Sequence, residues 1–237
     1  LTPDVAVLVA SVRALNMHGG VAKEDVAKTN LEALGRGLSN LEKHVANLKK
    51  FGLPVVVAIN RFPTDDTSEL ELVERRCQGL GVRAALSEVV ARGGAGGLEL
   101  AEAVLSVLSE GDSEFRPLYD WNLPIKEKID ILAREVYGAE GVAYTTRAEQ
   151  DIAALTEMGY GSLPLCIAKT QHSLSDNPAL KGAPTGWTLT VREVRASLGA
   201  GFLVPLTGDM MTMPGLPKEP VAKMIDIDSE GTIIGLS

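Results

Sequence analysis

Two stretches of the chain are apolar with no alternation. Residues 55–59 and residues 5–12 carry β-branched or apolar side chains at nearly every position, the pattern of strands buried on both faces of a parallel sheet. Between them Gly19 and Gly20 allow left-handed backbone or close approach by another group. A helical region follows, with a break expected at Gly35 and Gly37. Ser39-Asn40-Leu41-Glu42 has the form of a capping box, and Leu41, Val45 and Leu48 recur at helical spacing up to Gly52. Strand, helix and strand of this kind predict a right-handed crossover unit.

Farther on, Asp66, Thr67, Ser68 and Glu69 read as the capping box of a helix carrying Leu70, Val73 and Cys77. A short strand over residues 82–86 leads into a glycine-rich loop, residues 87–97. A helix over 98–109 then sets Leu98, Ala101, Leu105 and Leu108 on one side. The polar residues 111–120 mark the expected boundary, giving domains 1–112 and 113–237. Beyond it, Pro124 opens a helix whose apolar stripe is Ile125, Ile129, Leu132 and Val136, and Thr146 to Glu149 form a further capping box. Strands are expected at 164–169, 188–194 and 200–206, with a long loop over 170–186 and a terminal hairpin over 225–233. The fold class is α/β: part of a parallel sheet with helices on both faces, then a smaller α+β C-terminal domain.

Composition narrows the function. A chain of 237 residues, 45% apolar, is large enough for a real core, and a net charge of −8 disfavours nucleic acid or an anionic membrane as a partner. No apolar run approaches the ~20 residues that span a bilayer, and no leader precedes the first strand, so a cytoplasmic location is expected. Leu1 and Thr2-Pro3-Asp4 run straight into a core-type strand, as in the later part of a longer chain. Cys77 and Cys166 read as reduced, buried thiols. His18, His44 and His172 are scattered and define no metal-ligand spacing, and Asp226, Asp228 and Glu230 do not fit a calcium loop, so no metal site is expected.

Ligands of open α/β sheets gather beyond the carboxyl ends of the strands. That places Asn60, Phe62, Pro63, Thr64 and Asp65 at a candidate site, against the alternative of an ordinary strand-to-helix loop. Arg13 and Arg192 are candidate anion contacts, against the alternative of ion pairs with carboxylates.

Six motifs, spread in order along the chain, carry a resemblance: VASVRALNMHGG (residues 9–20), VVVAINRFPTD, ALSEVVARGGAGG, AKTQHSLSD, TVREVRASLGAGF and MTMPGLPKEP. Together they resemble formate–tetrahydrofolate ligase, across the whole chain but only the C-terminal portion of that family's length. The resemblance implies ATP-dependent ligation of formate to tetrahydrofolate through formyl phosphate. It also implies a fold similar to phosphate-loop NTPases, a homotetramer, ATP taken with Mg, and a possible activating monovalent cation. No Gly-Lys pair occurs in the chain, so the phosphate loop is absent from it, and the chain alone is expected to be inactive. Its expected partners are the small substrates and the missing N-terminal part of the enzyme.

Carried over residue by residue, the folate pocket is Phe62, Pro63, Leu86 and Val90. Val90 stands where the family has a stacking tryptophan, a loss of about 0.5–1.5 kcal/mol with three competing explanations: Trp121 or Trp187 fills the gap, the enzyme works at a higher Michaelis constant, or the pocket serves a different pterin. Asn60, Pro184, Thr185, Met213, Pro214 and Gly215 are the nucleotide candidates. Asn16 replaces a usual lysine, a change read either as a lost anion contact or as a solvent position, and His172 replaces a usual tyrosine. The competing reading is a catalytically silent assembly or regulatory module of the same family.

Overall fold

The computed structural model of the protein describes residues 2–208 and 219–235. Strands β1 (Ala6–Ala10), β2 (Val55–Asn60) and β3 (Arg83–Ser87) form a parallel sheet in the order β1-β2-β3. Register pairs Ala10 with Ile59 and Asn60 with Ser87, so the carboxyl ends of β2 and β3 finish side by side. One face of the sheet packs on helices α1 (Val12–His18), α2 (Leu31–Lys50) and α3 (Thr67–Gly79). There Val55, Val57 and Ile59 meet Leu34, Leu38, Leu41, Val45, Leu70, Val73 and Cys77 in one core.

β2 is buried on both faces, as its run of apolar residues predicts. β1 is not. It forms the edge of this sheet, and Val7 and Val9 are 43% and 66% exposed. The reason is coverage: after the one-turn helix α4 (Val89–Arg92) and a 3₁₀ segment (Gly93–Gly97), helix α5 (Leu98–Glu110) packs chiefly on β3 and β2. α5 is also rotated from its expected orientation. It buries Val107 and leaves Leu98, Leu105 and Leu108 exposed.

α2 has no break at Gly35 and Gly37, and its cap is Asn30, whose Oδ1 accepts from the Ala33 N–H at 2.9 Å. Gly37 serves packing. A Cβ there would lie 1.8 Å from the Leu15 carbonyl oxygen, and one at Gly19 would lie 1.8 Å from that of Ala33, so α1 and α2 approach through paired glycines. α3 is capped by Asp66, which accepts from the Ser68 N–H at 2.9 Å. Glu69 does not complete the box. It is buried and accepts from Asn16 Nδ2 and the Asn30 N–H, both at 3.0 Å. Asn16 is therefore an interior residue in contact with a carboxylate, and not a solvent position.

The later part of the chain forms a second, mixed sheet. Its strands are β4 (Gly141–Tyr144), which the sequence pattern did not reveal, then β5 (Thr188–Ser197) and β6 (Phe202–Thr207), with β4 parallel and β6 antiparallel to β5. Helix α6 (Ile125–Ile131) continues into a π turn (Leu132–Tyr137) and packs with α7 (Thr146–Glu157) over Val191, Val194 and Leu203. α7 is capped by Thr145, one residue earlier than expected. Residues 164–169 make only two isolated bridges to β6 rather than a strand. The tail forms the expected hairpin of β7 (Asp226–Ile227) and β8 (Ile233–Ile234).

The two sheets are joined by a polar seam on α2. Asn40 Nδ2 donates to the Gly182 carbonyl at 2.9 Å, Asn47 Nδ2 to Val136 at 2.7 Å, and the Lys43 and Lys50 ammoniums to Glu135 at 3.1 and 2.7 Å. These donors sit at helical spacing, and three of them meet carbonyls that the end of the π turn leaves without helical partners. Of the two cysteines, Cys77 is buried as expected and Cys166 is exposed. No described helix is long and apolar enough to cross a membrane.

Candidate ligand site at the strand ends

Beyond β2 the chain turns within four residues. The carboxylate of buried Asp65 accepts from the Phe62 N–H at 2.8 Å, while the Asp65 N–H donates to the Phe62 carbonyl at 3.0 Å. Asp65 thus holds the turn, and Asp66 caps the helix. Arg13, at the start of α1, covers the loop: its guanidinium carbon lies 4.0 Å from the centroid of the Phe62 ring, and Nη2 donates to Thr64 Oγ1 at 2.9 Å. Its Nε is buried without a partner. Phe62 is half-buried and Pro63 exposed.

The glycine-rich loop is tied to this turn at its base. The Arg61 N–H donates to the Ser87 carbonyl at 3.1 Å, and the Arg61 guanidinium reaches Glu88 at 3.1 Å. Glu88 is also bonded to Arg92 at 2.9 Å, and that bond, helped by Arg61, holds its carboxyl below the usual range. The Glu88 N–H returns to the Gly96 carbonyl at 2.9 Å, closing the loop, and a Cβ on Gly96 would sit 2.5 Å from the Glu88 carbonyl.

The four residues proposed for folate therefore fall at two adjoining strand ends, Phe62 and Pro63 after β2, Leu86 near the end of β3 and Val90 just beyond it, and they are not all directed alike. Leu86 is half-buried against the α1–α3 core, while Val90, on α4, is 81% exposed. Trp187 gives Val90 no stacking partner, because it is buried with Ala133, Ala139 and Leu189 and its indole N–H donates to the Pro184 carbonyl. Trp121 is exposed, and its carbonyl accepts from Lys128, a fully buried lysine caged by the carbonyls of Trp121, Gly161 and Leu163 at 3.0, 2.6 and 2.8 Å.

A cavity of about 160 Å³ opens at the ends of β1 and β2. Asn60 lines it, as do His18, Asn40, His44 and Ser11, against apolar walls that include Leu8 and Leu41. Its roof is the 170–186 segment: the Gly182 N–H donates to His18 Nδ1 at 3.2 Å and the Gly182 carbonyl accepts from Asn40. Gly182 has φ +67°, and a Cβ there would press Ser39 Oγ at 2.7 Å. The Lys169 ammonium holds the start of this segment by the carbonyls of Thr170 (2.9 Å), Ser175 (3.0 Å) and Ser173. Burial lowers the pKa of Lys169 to about 8, with Asp176 partly opposing. Burial lowers both histidines too, aided at His18 by Lys181, His44 and His172 and at His44 by Lys169 and Lys43. Both rings are therefore neutral near pH 7.

Sequence reasoning named Asn60 for a site but gave His18 and His44 no role there and read Asn40 as part of a capping box. Asn40 and His44, four residues apart on the polar side of α2, were the available signal. Pro184 is half-buried two residues past Gly182, and Thr185 is exposed. Met213, Pro214 and Gly215 lie outside the described residues. Arg192, on β5, donates to the Gly208 carbonyl just past β6 at 2.9 Å and belongs to the second sheet.

The fold is α/β, with one parallel and one mixed sheet, and the tethered turn and the cavity lie beyond the carboxyl ends of the parallel strands, the usual place for ligand sites in such folds. A family model, formate–tetrahydrofolate ligase, matches residues 1–237, and the chain belongs to that family. The family reaction joins formate to tetrahydrofolate, with ATP as a further substrate.

Proposed function

We propose that this chain supplies the folate-binding half of a formate–tetrahydrofolate ligase, with Phe62 offering an aromatic face to the pterin ring and Pro63, Leu86 and Val90 lining its edges. The supporting observation is the tethered turn: Arg13 and Asp65 hold Phe62 at the end of β2, beside the end of β3. A ring fixed in this way binds a flat heterocycle without losing rotamer freedom. In the whole enzyme, ATP activates formate as formyl phosphate, and the formyl group passes to N10 of the bound tetrahydrofolate. This chain holds the acceptor in place. Phosphoryl transfer depends mainly on positioning and on neutralising phosphate charge, so the missing phosphate loop leaves the chain inactive alone.

Asn60 is assigned to the nucleotide base, together with Pro184 and Thr185, which follow Gly182 in the chain; the supporting observation is the 160 Å³ cavity in which Asn60 meets two neutral histidines. Met213, Pro214 and Gly215 keep the same assignment from the resemblance alone. Magnesium enters as part of the ATP substrate. An activating monovalent cation keeps its assignment from the resemblance alone. The same reading takes residues 1–112 as the end of a phosphate-loop-type sheet and 113–237 as a smaller α+β domain, in a cytoplasmic homo-oligomer.

The test is Phe62→Ala in the complete ligase. The KM for tetrahydrofolate should rise about tenfold or more while that for ATP stays constant. An unchanged tetrahydrofolate KM removes the folate assignment.

A further inference from the structure

α1 and the 170–186 segment enclose a second cavity, of about 140 Å³, lined by Ala14, Met17, His18, Gln171, His172 and Lys181. None of these side chains is acidic, and four carry nitrogen donors. Lys181 forms no hydrogen bond or ion pair with a described residue. His18 accepts from the Gly182 N–H through Nδ1, so the proton of its neutral ring sits on Nε2 and is available as a donor. The Gln171 amide lies 3.1 Å from His172 Nε2, and with the amide donating, the His172 proton is on Nδ1. The groups acting on His18 through charge are Lys181, His44 and His172, all of one sign.

We propose that this cavity binds a small oxyanion, a phosphate or a carboxylate, with Lys181 as its counter-charge and the His18 and His172 rings and the Gln171 amide as hydrogen-bond donors. Charge-assisted bonds to an ammonium are about twice as strong as neutral ones, which makes Lys181 the principal anchor. An anion also offsets the repulsion that Lys181 exerts on a protonated His18. Binding is therefore coupled to proton uptake, and affinity rises as pH falls below the ordinary histidine value of 6.5. This cavity shares Ala14 and His18 with the one assigned to the nucleotide base, whereas Lys181, Gln171 and His172 line this one and not the other, so variants of Lys181 distinguish the two.

The experiment titrates the protein with inorganic phosphate and, separately, with L-glutamate at constant ionic strength. Histidine ring resonances are followed by NMR at pH 6 and pH 8. The expected result is saturable movement of the His18 and His172 signals with at least one probe, tighter at pH 6, and about tenfold weaker in Lys181→Ala but retained in Lys181→Arg. Because Lys181 is exposed and unpaired among the described residues, its replacement leaves the fold intact. The probe that saturates names the source, phosphate or carboxylate. Two results overturn the proposal: no saturable shift with either probe, or equal binding by Lys181→Ala, which indicates an adventitious ion only.

Discussion

The guanidinium carbon of Arg13 lies over the Phe62 ring, 4.0 Å from its centroid, while Nη2 donates to Thr64 two residues farther along the same turn. One side chain from α1 therefore fixes both the plane of the ring and the path of the loop. A cation over an aromatic face contributes about 0.5–2 kcal/mol. Arg13→Ala should weaken tetrahydrofolate binding by about two- to thirtyfold, and Arg13→Lys, which keeps the charge without the planar guanidinium, should fall between. Calorimetric titration of the complete ligase measures this. ATP affinity should not change, because Arg13 does not line the cavity that contains Asn60.

Val90 stands open on α4 with no side chain stacked on it. Restoring an aromatic face with Val90→Trp should tighten tetrahydrofolate binding by about two- to tenfold. Steady-state kinetics with varied tetrahydrofolate reads the change, and a KM equal to that of the parent enzyme would show that position 90 does not border the ring.

Gly182 joins the two cavities through its bonds to His18 and Asn40, at a positive φ that other residues resist. Gly182→Ala adds backbone strain and pressure on Ser39, at a cost of about 1–3 kcal/mol. The expected fall in Tm is roughly 3–10 °C by calorimetry, with the His44 ring resonance shifting as the roof moves.

Lys169 supplies a pH signature. Its folded-state pKa is about 8 against an ordinary 10.5, so between those values the unfolded chain binds more protons than the folded one. Stability contributed through this group therefore rises with pH across that window. Cys77 and Tyr144, pushed up to about 11 and about 12 mainly by burial, act in the opposite sense in any variant that retains them. The difference between the parent protein and Lys169→Met, measured by urea unfolding from pH 7.5 to 10.5, isolates the lysine, which faces Asp176 and His44. A difference that stays flat with pH would contradict this assignment.

Asn16 and Glu69 share a buried hydrogen bond that joins α1 to α3. Asn16→Ala leaves the carboxylate with the Asn30 N–H alone, at a cost of about 1–3 kcal/mol. In a double-mutant cycle with Glu69→Ala the two losses should fall short of additive by at least about 0.5 kcal/mol. Strict additivity would mean that the pair contributes nothing.

Much of the first sheet was legible because β2 is its central strand: a residue covered on both sides must be apolar at every position. The same rule misread β1, since Val7 and Val9 have the composition of a covered strand although nothing described covers them. Glycines misled for a related reason. Gly37 lowers helix propensity, but the approach of the Leu15 carbonyl, a contact between helices, decides that it belongs there. In the site, the turn at Phe62 could be read from its position after a strand. His18 and Lys169 could not, because their partners, Gly182 and the carbonyls of residues 170–175, lie on a segment with no periodic pattern.

Local order carried the elements: apolar runs, caps and turn residues act over a few positions, and they set where most strands and helices form and which loops follow them. The family, too, was already present in the ordered motifs. Tertiary packing alone decided which faces are covered, that Glu69 answers Asn16 rather than its own helix, and that histidines from α1 and α2 meet Asn60 in one cavity. Such pairings depend on burial and on donors and acceptors brought together from distant positions, and a linear pattern of polarity does not specify a partner.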